Sequence, residues 1–215
     1  MGKIYIDVGV SIDGFMAGLN PSPKNPIGEG GLQILDWVFR QAAFHEIQKI
    51  GEGGESGVDN DLLIESLSRA GACIMGKTMF MTGEFNWPED PPFHCPVYVL
   101  AHEKREPWER KGGTTFYFIN DGLQSALTKA KSAAGNKDIR ISGGANVIQQ
   151  FLNEGVVDEM MIHIAPVILG KGIRLLDSLD PNKYKVEIAN VIKSKKVTHV
   201  RYDLKRIEGI NQPGN

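Results

Sequence analysis

The chain has 215 residues, 41% of them hydrophobic and 23% charged, and a formal net charge of −2. That length suits one α/β domain with a sizeable core, and the near-neutral balance excludes the basic footprint of a nucleic-acid or anionic-membrane binder. Cys73 and Cys95 form neither a disulfide framework nor a CxxC pair, so both are expected as reduced structural thiols.

Ile4, Ile6, Val8 and Val10 alternate with Lys3, Tyr5, Asp7 and Gly9, the period of a strand with one buried face. The opening MGKIYIDVGV carries no apolar leader and no later run reaches membrane-spanning length, so a cytoplasmic protein is expected. The stretch GLNPSPKNPIGEGG is too rich in glycine and proline for regular structure. A weakly helical LDWVFRQAAFHEIQ follows, then a second glycine-rich loop, GEGGESG. Asn60 is placed to cap a helix over Asp61–Arg69, with Leu63, Leu67 and Ala70 on one face.

ACIM reads as a short strand buried on both faces, and VYVL and TTFYFI as two more. Leu123, Ala126, Leu127 and Ala130 mark an amphipathic helix ending before Gly135. In RISGGANVIQQFL a strand meets two glycines and turns directly into a helix, with Val147, Ile148, Phe151 and Leu152 as its apolar stripe. Such a junction is either a tight turn or a place where a phosphate lies against backbone N–H groups. A strand at EMMIHIA and two alternating runs at YKVEIA and VTHVRYDLKRI close the chain. Strands alternating with helices, then two strands without one, predict a mostly parallel sheet finished by an antiparallel hairpin. Residues 1–207 are expected as one domain and residues 208–215 as a frayed tail.

Three further irregular segments follow predicted strands: SIDG, MGKTMF and AHEKRE. The crevice beyond the carboxyl ends of such strands is where ligands bind in open α/β sheets. His45, His94, His163 and His199 show no metal-ligand spacing, so no metal site is expected.

VSIDGFMAG, GACIMGKTMF, PVYVLAHEKRE, ISGGANVIQQFL and GVVDEMMIHIAPVILGKGIRLLD stand in an order and spacing that resembles the dihydrofolate-reductase-like family. The resemblance spans roughly Lys3 to Ile207 and is closest to the branch of the C-terminal reductase domain of the riboflavin-biosynthesis deaminase/reductase. It implies a single dihydrofolate-reductase-like mixed sheet flanked by helices, and an enzyme that passes a hydride from NADPH, or less favourably NADH, to a small heterocycle. That substrate is a pterin or folate, or the ribosylamino-pyrimidine intermediate of riboflavin synthesis. The HxE…PCxxC zinc signature of the deaminase is missing, so the bifunctional enzyme is not expected.

By the resemblance, Ser142, Gly143, Gly144, Ala145 and Asn146 hold the cofactor pyrophosphate, and Gly76, Lys77 and Thr78 contact its phosphates. Leu100, His102, Lys104 and Arg105 fall where the family reads the adenosine 2′-phosphate, although Ala101 lacks the usual hydroxyl. Lys77 stands where arginine is common, which keeps the charge but loses the bidentate fork. Asp13 matches an aspartate near the substrate, or else makes an Asx-turn into Gly14. NPIGEGGLQILDW resembles the loop that folds over nicotinamide, with Trp37 at that loop's tryptophan. The family's buried acid matches Asp61, with Asp59 in reserve, although helix capping and the macrodipole are the more economical account of an acid there. Asp158 and Glu159 are expected to terminate the preceding helix or to bridge to a neighbour, and Pro166, Gly170 and Gly172 to shape the substrate end. A homodimer is expected, because the terminal strands would otherwise leave an open edge. The alternative to an enzyme is a non-catalytic dinucleotide-binding protein that keeps the fold.

Overall fold

The computed structural model describes residues 2–207, so the tail expected at 208–215 lies outside the described residues. The elements in chain order begin with β1 (Ile4–Ser11), β2 (Phe15–Ala17), α1 (Asp36–Phe39), α2 (Ala42–Gln48), α3 (Val58–Ser68), β3 (Ala70–Gly76) and α4 (Lys77–Gly83). They continue with β4 (Pro96–Leu100), β5 (Trp108–Glu109), β6 (Thr115–Ile119), α5 (Leu123–Ala134), β7 (Asp138–Gly143), α6 (Ala145–Asn153) and β8 (Glu159–Ala165). The last are β9 (Ile173–Arg174), β10 (Tyr184–Lys193) and β11 (Thr198–Arg206).

Nine strands form one sheet in the order β10-β11-β8-β1-β7-β3-β4-β6-β5. Its centre, β8 to β6, is parallel, and the antiparallel β10–β11 hairpin joins β8 at one end. Mixed α/β architecture with a terminal hairpin is what the element pattern predicts. Short β2 and β9 pair separately over the end of β1.

Each sheet face has its own core. Ile4, Ile6, Ala72, Ile74 and Ile141 pack against α5 and α6 through Ala126, Leu127, Ile148 and Phe151. Tyr5, Cys73, Met75, Val97 and Phe116 face the other way, against Phe80 of α4. The β1 face carrying Tyr5 and Asp7 is therefore not a solvent face: Tyr5 is fully buried and its hydroxyl donates to the Ser66 carbonyl of α3. Alternation reports that a strand has two chemically different faces and is silent on what covers the polar one. Cys73 and Cys95 are free, buried, and 3.7 Å apart at sulfur.

Three local expectations change. The helix expected from Asp61 begins at Val58 after Gly57, and Asn60 sits inside it, with its side-chain oxygen accepting from the Ala43 N–H. MGKTMF is not an irregular segment: Lys77–Gly83 is helical and buries Phe80. The buried stripe of α3 is Asp59, Leu62 and Ser66, while Leu63 and Leu67 are only half-buried. Glu159 bridges as expected, meeting Arg69 at 2.6 Å and Lys3 at 3.0 Å, and the Asp158 carboxylate accepts from the Ile4 N–H.

Candidate active site

All the parallel strands end at one edge, where β3, β4, β6 and β7 deliver Gly76, Leu100, Ile119 and Gly143 to a common crevice. The two glycines of the β7–α6 junction differ in what they allow. Gly143 has φ +125°, a conformation L side chains rarely adopt, and is joined to Gly144 by a cis peptide bond. Gly144 has an ordinary φ of −74°, and a Cβ built on it would meet nothing within 4 Å. The fold itself therefore does not demand glycine at 144; what its absent side chain preserves is open space before the start of α6. That helix has no side-chain cap and no acid in its first turn, so its leading N–H groups and positive dipole end are left for an anion. Gly76 is a contrast, since a Cβ there would lie 2.8 Å from Val147 Cγ2, so glycine lets α6 approach β3.

A cleft of about 500 Å³ runs from this junction across the strand ends. Its lining includes Gly76, Lys77, Thr78, Leu100, His102, Gly144, Ala145 and Asn146. Asn120, Gly122 and Gln150 line it too; sequence reasoning missed the first two because the turn after β6 carries no motif, and Gln150 because it lies beyond the first turn of α6. Lys77 Nζ is paired with Glu103 at 2.6 Å. Lys104 and Arg105 do not line the cleft. Arg105 is ion-paired with Glu84 and lies over the Phe118 ring at 4.8 Å, so its charge is already used.

Beyond Gly144 lies a second cavity of about 320 Å³, and the two spaces share Thr78, Gly144, Ala145 and Ile173 in their walls. Met16, Leu35, Leu63 and Met79 give it an apolar lining, and Pro21, Pro26 and Ile27 from the glycine-rich loop form part of its wall. Its polar groups include Asp7, Trp37, Arg140, Ser142 and His163, with Thr78 and Thr82. Trp37 Nε1, Arg140 Nε and Ser142 Oγ are buried without a hydrogen-bond partner in the protein, which marks them as groups a ligand or water must satisfy. The Arg140 guanidinium donates to the Asp7 carbonyl at 3.2 Å. Burial works to raise the Asp7 carboxyl, yet His163 and Arg140 outweigh it and hold Asp7 below the usual carboxylate range.

Behind this cavity stands a feature that histidine spacing does not disclose. Asp7 Oδ1 lies 2.9 Å from His163 Nε2, His163 Nδ1 lies 2.6 Å from His199 Nδ1, and His199 Nε2 lies 2.9 Å from Asp59 Oδ1. Strand register explains it: His163 of β8 pairs with Gly9 of β1 on one side and His199 of β11 on the other, so all share one face of the sheet. Trp37 packs over both imidazoles, with ring centroids 4.7 and 5.3 Å away. Burial and the neighbouring His163 press His199 below the usual histidine range, against the pull of Asp59. No cluster of three or more metal-ligating side chains occurs among the described residues.

The remaining predicted residues are placed as follows. Asp61 is exposed on the outer face of α3, and the reserve, Asp59, lines neither space but meets His199 behind the cavity. Asp13 does not line the cavity. The Ser11 hydroxyl beside it and the backbone N–H groups of Gly170 and Leu169 hold its carboxyl down to about 2, and it fastens the loop after β8. Pro166 is exposed and lines neither space, while Gly172 lies against the Ala17 carbonyl and so supports the wall from behind.

The sequence profile of the RibD C-terminal domain matches residues 2–202. An uncharacterized protein of Bacillus subtilis, YyaP, is 28% identical over 79% of this chain and 78% of its own. The riboflavin biosynthesis protein RibD of Aquifex aeolicus is 30% identical over 43% of this chain and 29% of its own length. A putative riboflavin biosynthesis protein from Shewanella superposes with a TM-score of 0.66 at 23% identity, covering 96% of this chain and 100% of its own. A dihydrofolate reductase from Enterococcus faecalis, solved with NADP(H), shares the fold with a TM-score of 0.55 at 10% identity, covering 94% of this chain and 96% of its own.

Proposed function

The chain belongs to the RibD C-terminal domain family, and on that premise we propose that it is an NADPH-dependent reductase acting on a small heterocycle, a pterin or a ribosylamino-pyrimidine. One observation carries the reading: a cleft that presents Lys77, Thr78, His102 and Asn146 and a largely apolar cavity meet at Gly144, against the uncapped start of α6. An elongated, doubly phosphorylated ligand with an aromatic ring at one end fits such a pair of spaces. Gly144, Ala145 and Asn146 would hold its pyrophosphate, with Thr78 and Lys77 alongside, and His102 would stand near the adenosine end. That a dihydrofolate reductase of this fold was solved with NADP(H) supports the choice of cofactor.

When bound, the dinucleotide supplies a hydride at the apolar cavity. The protein's own residues do the rest. Met16, Met79 and Ile27 exclude water around the acceptor, and Ser142, Arg140 and Trp37 offer donors that orient its polar edge. Asp7, hydrogen-bonded to His163, stands where a heteroatom of the acceptor would take a proton. Asp13 and Asp61 are positioned for neither task.

The alternative, a non-catalytic dinucleotide binder, draws on the Lys77–Glu103 pair, which ties down a charge the phosphates would use. Following the absorbance of reduced nicotinamide with dihydrofolate and with the ribosylamino-pyrimidine separates the two. Oxidation with either substrate supports the reductase, and tight NADPH binding without oxidation of any acceptor supports the binder. We further propose a cytoplasmic homodimer in which the edge strand β10, exposing Val186, Ile188 and Val191, is covered by a second copy. Among the described residues no helix is long and apolar enough to cross a membrane.

A further inference from the structure

We propose that the reduction cavity takes an acceptor with no charge of its own: a carbonyl-bearing ring that enters without a phosphate or carboxylate tail. The inference rests on the reductase reading for the chemistry done there, and on the cavity wall alone for the preference for an uncharged ligand.

Among the described residues that line the cavity, Arg140 is the one Lys or Arg and Asp7 the one Asp or Glu. Met1 and residues 208–215 add no Lys or Arg side chain. Strand register brings the two charges together: Tyr5 pairs with Arg140 and Ile6 with Ile141, which sets Asp7 beside Ser142 on the face that carries Arg140. Burial works against both charges, yet Asp7 holds Arg140 charged, and His163 and Arg140 hold Asp7 charged. His163 itself is engaged at both ring nitrogens, by Asp7 and His199. The wall is therefore balanced before a ligand arrives, and a phosphate or free carboxylate would enter as an unpaired charge in an apolar enclosure. Cations on the neighbouring elements are committed elsewhere. Arg40 meets Asp36 at 2.9 Å, Arg174 donates to the Asp13 carbonyl at 3.0 Å, and Lys77 is paired with Glu103 in the cofactor cleft. Lys24 is exposed on the glycine-rich loop and does not line the cavity.

What the wall does offer is donors. Trp37 Nε1 and Arg140 Nε can only donate, Ser142 Oγ can turn to donate, and all three are buried without a partner in the protein. With the Arg140 charge already balanced by Asp7, its free N–H needs an acceptor atom and not a second anion. A ring carbonyl oxygen or ring nitrogen satisfies each of these donors and brings no charge with it. Size points the same way. The cavity of about 320 Å³ must admit the nicotinamide as well as the acceptor, which leaves room for a ring and little more. A charged tail would have to leave past Pro21, Pro26 and Ile27, whose side chains offer it no donor. The acceptor is thus held by the edge of its ring, and a phosphate adds nothing to its affinity.

The test compares the ribosylamino-pyrimidine carrying a free 5′-hydroxyl with the same compound carrying a 5′-phosphate. Calorimetric titration gives the Kd of each form, and steady-state oxidation of NADPH gives kcat/KM. The hydroxyl form should bind at least as tightly as the phosphate form and turn over at least as well. A phosphate form favoured by more than about threefold overturns the proposal, as does binding of neither form at about millimolar concentration. Trp37→Phe keeps an aromatic ring and removes the Nε1–H donor, so the Kd of the hydroxyl form should rise about five- to tenfold while the Kd of NADPH stays unchanged. Ser142→Ala deletes a single hydroxyl and repeats the measurement with less disturbance of the packing. Unchanged acceptor affinity in both variants overturns the donor assignment. Lys24→Gln should alter neither Kd, and a selective loss for the phosphate form would place the phosphate on the loop and overturn the proposal. If neither form oxidises NADPH although the hydroxyl form binds at least as well as the phosphate form, the reductase reading falls and the preference of the cavity stands.

Discussion

Gly144→Ala and Gly76→Ala add the same methyl group on either side of one cleft, and the structure predicts opposite consequences. At Gly144 the φ of −74° suits alanine and the new Cβ meets nothing within 4 Å, so stability should change by less than about 1 kcal/mol. The methyl stands, however, where a phosphate oxygen must come within about 3 Å of a backbone N–H at the start of α6. Losing one such charge-assisted hydrogen bond costs about 1.5–3 kcal/mol, which raises the NADPH Kd roughly ten- to a hundredfold. At Gly76 the Cβ would press on Val147 Cγ2 at 2.8 Å, forcing α6 off β3 and costing about 1–3 kcal/mol of stability by overpacking. Denaturant unfolding with fluorescence titration reads both quantities on each variant. If Gly144→Ala binds NADPH as tightly as the parent, the phosphate does not lie at this junction and the reasoning fails.

Asp7→Asn should lower reductase turnover about a hundredfold or more, whereas Asp61→Asn, altering an exposed carboxylate, should leave it unchanged; steady-state rates on both variants check this. Arg69→Met removes the guanidinium that meets Asp138 at 2.7 Å and Glu159 at 2.6 Å, leaving an almost fully buried Glu159 with Lys3 at 3.0 Å and Arg201 at 4.0 Å. The expected loss is about 3 kcal/mol in urea unfolding, and a loss under half that would contradict a central role for the pair. Asp13 has a folded pKa of about 2, below its unfolded value, so its contribution to stability is present above pH about 4 and is lost as pH falls toward about 2. His199 is held below the usual histidine range, so the unfolded chain binds the extra proton and stability falls as pH drops below about 6.5. Asp13→Asn should flatten the first of these losses and leave the second.

The strands, α5, α6 and the glycine junction between β7 and α6 were legible because their signals are local: a two-residue period, a 3.6-residue stripe, two glycines between them. The acid was not. The resemblance points to Asp61 by its distance from Gly76, but Asp61 faces outward on α3, and the carboxylate that lines the cavity, Asp7, lies on β1, where the alternation of the strand does not say what covers it. The His163–His199 contact joins residues far apart in sequence through strand register, and no spacing rule for histidines encodes that. Arg105 looked available as a phosphate ligand because sequence does not reveal that Glu84 already holds it. The paired spaces at Gly144 became visible only when the loop residues Pro21, Pro26 and Ile27 were folded over β1.

The most direct test of the dinucleotide site is a titration of the purified protein with NADPH and with NADH, followed by tryptophan quenching and energy transfer to the nicotinamide, with Trp37 in the cavity wall as reporter. The account predicts saturable binding of NADPH with a Kd in the micromolar range, about −8 kcal/mol, and weaker binding of NADH. No binding of either nucleotide at about millimolar concentration would reduce Gly143 and Gly144 to a turn and contradict the reductase assignment.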